Sequence, residues 1–197
     1  MKKESSESLG LIGEFLLAAG NFCSLLREES LSPRLFSERL LKVGTILYLK
    51  GVELSLQEDL PDPVWLPNYV TEQEYTKIAQ SIAARYGQKD FFLESMSEEM
   101  RFTDSPITAR ISSFLADIYQ PVADFLAVAL EMPDQLREAT AVCIAFFKEY
   151  WGDRLLAILR AVHSLFYNDE EELEEVSETE QSYIGRCGLD AYFDDYE

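Results

Sequence analysis

The chain has 197 residues, 47% of them apolar and 27% charged, which suits one globular domain with a core, or one domain plus a tail. Its 36 Asp and Glu against 17 Lys and Arg leave a formal charge of −19. That balance argues against the basic patches a nucleic-acid binder needs, predicts repulsion from anionic membrane surfaces, and favours encounter with a basic protein partner.

Taken in chain order, Ile12, Phe15, Leu16, Ala19, Phe22, Cys23 and Leu26 recur at steps of three and four. One apolar stripe at that spacing predicts an amphipathic helix near 5–28. Lys2 and Lys3 before this apolar stretch give it a superficial likeness to a secretory signal, but Glu4, Glu7 and Glu14 interrupt the pattern. No run of about 18 uncharged apolar residues occurs, so no membrane-spanning segment is expected.

Ser32-Pro33 supplies a capping hydroxyl and a proline for the first helical position. The stripe Phe36, Leu40, Val43 and Leu47 continues that second helix to Lys50, with Gly51 expected to end it. Pro61, Pro63 and Pro67 then break the pattern, and Trp65 and Tyr69 are expected to lie over the core on an irregular cover.

Thr71 and Glu74 have capping-box spacing and open a third helix carrying Tyr75, Ile78, Ala79, Ile82 and Tyr86, with Gly87 as its stop. Residues 88–106 have weak periodicity and read as irregular, with a short helical turn around 90–97. A fourth stripe, from Ile111 through Phe114, Leu115, Ile118, Val122 and Phe125 to Ala129, contains Pro121, where a kink is expected. Pro133-Asp134 opens a fifth helix along Leu136, Ala139, Cys143, Phe146 and Tyr150, and Gly152 marks a break or bend. A sixth helix carries Leu155, Ile158, Leu159, Val162 and Phe166. No alternating segment reads as a strand. The expected fold is therefore all-α: a single antiparallel bundle of about six helices over 1–167.

Residues 168–197 hold twelve acids and one base, Arg186, whereas the preceding 167 residues hold 24 acids and 16 bases. This acidic segment reads as a loose C-terminal tail. Cys23, Cys143 and Cys187 are odd in number and form no CxxC pair, which favours free thiols in a reducing compartment, the cytoplasm.

The sequence offers little recognisable chemistry. His163 is the sole histidine, and Arg160, not a carboxylate, stands three residues before it, so neither a zinc nor a di-iron site is expected. No GxSxG elbow or glycine-rich phosphate loop occurs, and no catalytic residue, cofactor or metal is assigned. A Cys143–His163 dyad is weighed against two structural side chains, and the structural reading is preferred because Cys143 lies on an apolar stripe. Asp117 and Asp124 share a helix face, as many solvated carboxylates do.

The most specific constellation is Tyr150-Trp151-Gly152-Asp153-Arg154, followed by Arg160 and His163. Arg154 has the spacing to stack on Trp151, and Asp117 is the candidate partner of Arg154 or Arg160. Together Asp117, Tyr119, Trp151, Arg154, Arg160 and His163 are either an ion-pair network that fixes helix packing or the lining of a ligand pocket.

Leu115-Ala-Asp-Ile-Tyr-Gln120 with Asp124-Phe125, and Tyr150-Trp-Gly-Asp-Arg-Leu155 leading to Leu159-Arg-Ala-Val-His163, resemble a bacterial family of uncharacterised proteins, domain of unknown function 5063. Leu47–Lys50 and Val70–Tyr75 echo it more weakly, and the resemblance covers roughly 35–167. It implies a helical domain with no established activity, and carries over Asp117, Tyr119, Trp151, Gly152, Arg154, Arg160 and His163. Related sequences continue helix four with polar residues where Pro121 and Ala123 stand here.

These readings lead to a cytoplasmic, non-enzymatic protein-interaction module with a basic protein as partner and neither nucleic acid nor membrane as target. The alternative is a protein binding a small anionic ligand, or an unrecognised enzyme, with its pocket at the six residues above. A nucleic-acid mimic ranks last.

Overall fold

The structure, a computed structural model, describes residues 2–94 and 106–168, with side chains from residue 9 onward. Six α-helices occur among them: α1 (Lys2–Arg27), α2 (Pro33–Ser55), α3 (Glu72–Tyr86), α4 (Ile111–Glu131), α5 (Leu136–Phe146) and α6 (Gly152–Asn168). The all-α reading holds. The acidic segment from residue 169 onward lies outside the described residues.

Helix α1 packs on α2 and α4, α3 packs on α4, and α2 packs on α6. The apolar stripes meet in one core, with Phe15 against Phe125 at 5.1 Å between ring centres and Trp151, Tyr119, Phe22 and Phe36 fully enclosed. Each such side chain contributes about 1.5–3 kcal/mol by leaving water. By length and mean hydropathy, Leu9–Arg27 and Ile111–Glu131 are apolar enough to cross a membrane, contrary to the expectation from uncharged runs, but both place a face in this core.

Ser32 caps α2 by accepting the Leu35 N–H, and Pro33 takes the first turn as expected. Gly51 does not end that helix, which runs on to Ser55. Gly51 instead makes room for Phe147, whose ring would lie 3.0 Å from a Cβ there.

The segment between α2 and α3 is an extended strap without helix or strand. Leu60, Leu66 and Val70 do the covering, whereas Trp65 is 88% exposed and Tyr69 also faces solvent. The expectation that both aromatics lie over the core is thus corrected. An extended chain turns successive side chains to opposite sides, and here Leu66 takes the inward position beside Trp65.

Thr71 caps α3 through the Glu74 N–H at 3.2 Å. Glu74 accepts instead from Arg27 on α1 and from the Tyr119 hydroxyl on α4, so a residue with capping-box spacing ties three helices together. Gly87, at φ +56°, lets the chain leave α3. A 3₁₀ turn (Gly87–Asp90) leads into β1 (Phe91–Glu94), which pairs antiparallel with β2 (Ile107–Arg110), Phe91 opposite Arg110 and Glu94 opposite Ile107. The expected irregular stretch over 88–106, with its helical turn around 90–97, is replaced by a strand over 91–94, and its part from 95 to 105 lies outside the described residues. Asp90 anchors the ribbon: fully buried, it accepts the Ser112 N–H and hydroxyl, each at 2.7 Å, and meets Arg110 at 3.1 Å. Its carboxylate sits where α4 begins, as the helix dipole favours.

Helix α4 passes through Pro121 as one element. A 3₁₀ turn (Pro133–Gln135) introduces α5, and a π-helical turn (Phe147–Trp151) joins α5 to α6. Gly152 permits that wide turn, because a Cβ on it would stand 2.6 Å from the Phe147 carbonyl oxygen.

Candidate functional site

A cleft of about 230 Å³ opens between the strap, α4, α5 and the π turn. Its apolar walls include Phe125 and Val128 from α4, Val142 and Phe146 from α5, and Leu66 from the strap. Asp117, Gln120, Asp124 and Tyr150 bring polar groups to it. Phe146 and Tyr150 line the cleft and also face solvent.

Asp124 fastens the strap. Its Oδ1 accepts the main-chain N–H groups of Tyr69 and Val70 at 2.6 and 2.7 Å. Burial raises its pKa from the usual carboxylate value, partly offset by these two bonds. Farther along the same segment, Arg137 reaches the main-chain oxygen and carboxylate of Asp59. The strap is therefore held both near α2 and where it enters α3.

One helical row along, Asp117 accepts the Tyr75 hydroxyl at 2.8 Å and meets Arg154 at 3.2 Å. The Arg154 guanidinium lies over the Tyr150 ring at 3.8 Å and the Phe114 ring at 4.8 Å. Burial pushes up the Tyr75 and Tyr150 hydroxyls, as does the neighbouring Asp117 charge.

Of the six residues singled out by sequence, only Asp117 lines this cleft. Arg154 pairs with it, as expected, but stacks on Tyr150 rather than on Trp151. Trp151 is fully buried and donates its indole N–H to the Cys143 carbonyl at 3.1 Å, so its ring belongs to the core. Tyr119 is buried and takes part in the Arg27–Glu74 network, with the Arg27 Nε 2.8 Å from its hydroxyl. Arg160 pairs not with Asp117 but with Glu94, both of whose carboxylate oxygens lie 3.1 Å from it. His163 is exposed and packs against Tyr167, the two rings tilted with centres 4.6 Å apart. These six side chains do not converge on one cavity.

The two arginines of an anion pocket thus face carboxylates, Arg154 on Asp117 and Arg160 on Glu94. Cys143 is buried among apolar groups, which pushes its thiol pKa far above the usual value, whereas His163 is at the surface; they form no dyad. Cys23 is likewise buried, with its thiol pushed up to about 12. No group of three or more metal-ligating side chains occurs among the described residues.

The sequence signal missed most completely was the strap's attachment. Asp124 lies in a quoted motif, but a carboxylate accepting two main-chain amides from a segment 55 and 54 residues earlier leaves no local pattern. A second, more open hollow lies between Ser30–Pro33 and α3, and there Arg85 donates to the main-chain oxygens of Glu28 and Leu31.

The crystal structure of protein BF1032 from Bacteroides fragilis is similar to this chain, with 29% identity and a TM-score of 0.64 over 78% of this chain and 90% of that one. No curated protein matches the chain. The family described as Domain of unknown function (DUF5063) matches residues 9–168, a longer span than the sequence motifs alone suggested. With more than half of its length matched, the chain belongs to the DUF5063 family.

Proposed function

We propose that this protein is a non-enzymatic interaction domain of the cytoplasm that docks a basic protein partner at the cleft between the strap and helices α4 and α5. The observation that carries this reading is a partly open cleft whose apolar walls and exposed Phe146 stand beside the Asp124 carboxylate. An apolar anchor surrounded by complementary charge is a common basis of protein recognition. The chain's charge of −19 attracts a basic partner to the molecule as a whole. Two buried free thiols, Cys23 and Cys143, are in keeping with a reducing compartment.

Selection of displayed random peptides against the full chain tests the docking reading. The expected binders combine basic and apolar residues, weaken as salt is raised, and lose affinity for Phe146→Ser. Recovery of no binders, or of binders indifferent to Phe146→Ser, contradicts docking at this cleft.

A further inference from the structure

The interaction reading leaves open what enters the cleft. We infer that Asp124 and the aromatic wall form a pocket for a single guanidinium group, presented as an arginine side chain by the partner; this rests on the docking reading above.

The polar groups in the cleft are unequal. Asp117 is already served by the Tyr75 hydroxyl and by Arg154, which neutralises it. Asp124 has no cation partner among the described residues. Both strap amides use its Oδ1, so Oδ2 keeps its lone pairs for another donor. One helical turn away, Pro121 lines the same cleft and supplies no N–H to the carbonyl of Asp117, four residues earlier, leaving that oxygen without its helical donor. The Gln120 amide adds a further acceptor. The site therefore offers several acceptors and one uncompensated negative charge.

This inventory calls for a ligand rich in donors and positively charged. Guanidinium fits better than ammonium because its planar fork can meet separate acceptors while its face lies on an aromatic ring. Arg154 already shows this chemistry at the cleft's rim, pairing with Asp117 while lying over Tyr150 at 3.8 Å. Phe146 supplies a second, solvent-reachable ring. The apolar walls suit the aliphatic stem of an arginine, and the cleft of about 230 Å³ accommodates one such side chain. The same features disfavour an anion, which would meet Asp124 directly.

The test is amide NMR of the full ¹⁵N-labelled chain titrated with acetyl-Leu-Arg-Leu-amide, its citrulline counterpart and its lysine counterpart. Citrulline keeps the shape of arginine and removes the charge. The expected result is saturable shifts at Leu66, Asn68, Val142 and Phe146, with the arginine peptide binding at least about tenfold tighter than the citrulline peptide. Asp124→Asn should abolish that preference while its remaining carbonyl oxygen still holds the strap, as retained protection of the Tyr69 and Val70 amides from hydrogen exchange would report. Equal binding of arginine and citrulline peptides at the cleft, or tighter binding of the lysine peptide, overturns the guanidinium pocket and leaves docking intact. Shifts confined to other surfaces, or no saturable binding by any of the three peptides, overturn the pocket; the displayed-peptide selection then decides the docking reading separately.

Discussion

A Cβ placed on Gly152 would lie 2.6 Å from the carbonyl oxygen of Phe147, five residues earlier. So close an approach, at the end of the π turn between α5 and α6, leaves space for hydrogen alone. Substitution Gly152→Ala must push the two helices apart or rebuild the turn. The expected loss is about 1–3 kcal/mol of stability by urea denaturation. Unchanged stability would show that the turn relaxes without cost.

Trp151 sits on the same turn, and its indole N–H meets the Cys143 carbonyl at 3.1 Å. Trp151→Phe removes the donor and leaves unfilled volume in a closed core. It should cost about 1–3 kcal/mol for the unpaired buried group, with a further cavity contribution. Equilibrium unfolding of the variant measures it.

Arg154 and His163 separate structure from surface within one helix. Arg154 holds the Asp117 carboxylate and lies over two rings, so Arg154→Met should cost about 1–3 kcal/mol. His163 is exposed, and His163→Ala should stay within about 0.5 kcal/mol of the parent chain. Comparable losses in both variants would contradict this placement.

The six helices were legible because each carries a stripe at helical spacing and several carry local end signals: Ser32-Pro33 and Thr71 at N-termini, Gly87 at a stop. The β-ribbon was not, since four-residue strands are too short to establish an alternating pattern and their anchor, Asp90, acts through Ser112, 22 residues later. Gly51 was misread for a related reason: a glycine that ends a helix and one that admits a distant ring look alike in sequence. The site was half legible. Asp117 and Arg154 were expected to pair and do, whereas the roles of Trp151, Tyr119 and Arg160 depend on Cys143, Glu74 and Glu94, partners set by tertiary packing.

Alkaline pH should weaken the fold. Burial pushes the Cys23 thiol from 9.0 to about 12 and raises Cys143 further. A raised folded-state value stabilises fully below the unfolded-state value and loses that contribution as pH climbs through the folded one. Stability should therefore begin to fall above about pH 9, and a thiol reagent should modify Cys23 and Cys143 at the unfolding rate only. Rapid modification of both in the folded chain would contradict their burial.

Acid pH acts on the cleft through Asp124, whose folded-state pKa is raised chiefly by burial. As a raised carboxylate, it takes up its proton at a higher pH in the folded chain than in the unfolded one. Its contribution favours folding below the unfolded value and is lost as pH rises through the raised value. Binding of a cationic peptide follows the opposite course: it should fall as pH drops through that raised value, and the fall should vanish in Asp124→Asn. Titration by isothermal calorimetry across mildly acidic pH checks the sign.

The docking claim is tested most directly by replacing Phe146 with a photo-crosslinking benzoylphenylalanine in the full chain and irradiating living cells, with the same replacement at exposed Ser164 on α6 as the control. The account predicts one dominant adduct with a basic protein from position 146, absent from position 164 and weakened by Asp124→Asn. Adducts identical at both positions, or none at position 146, would contradict it.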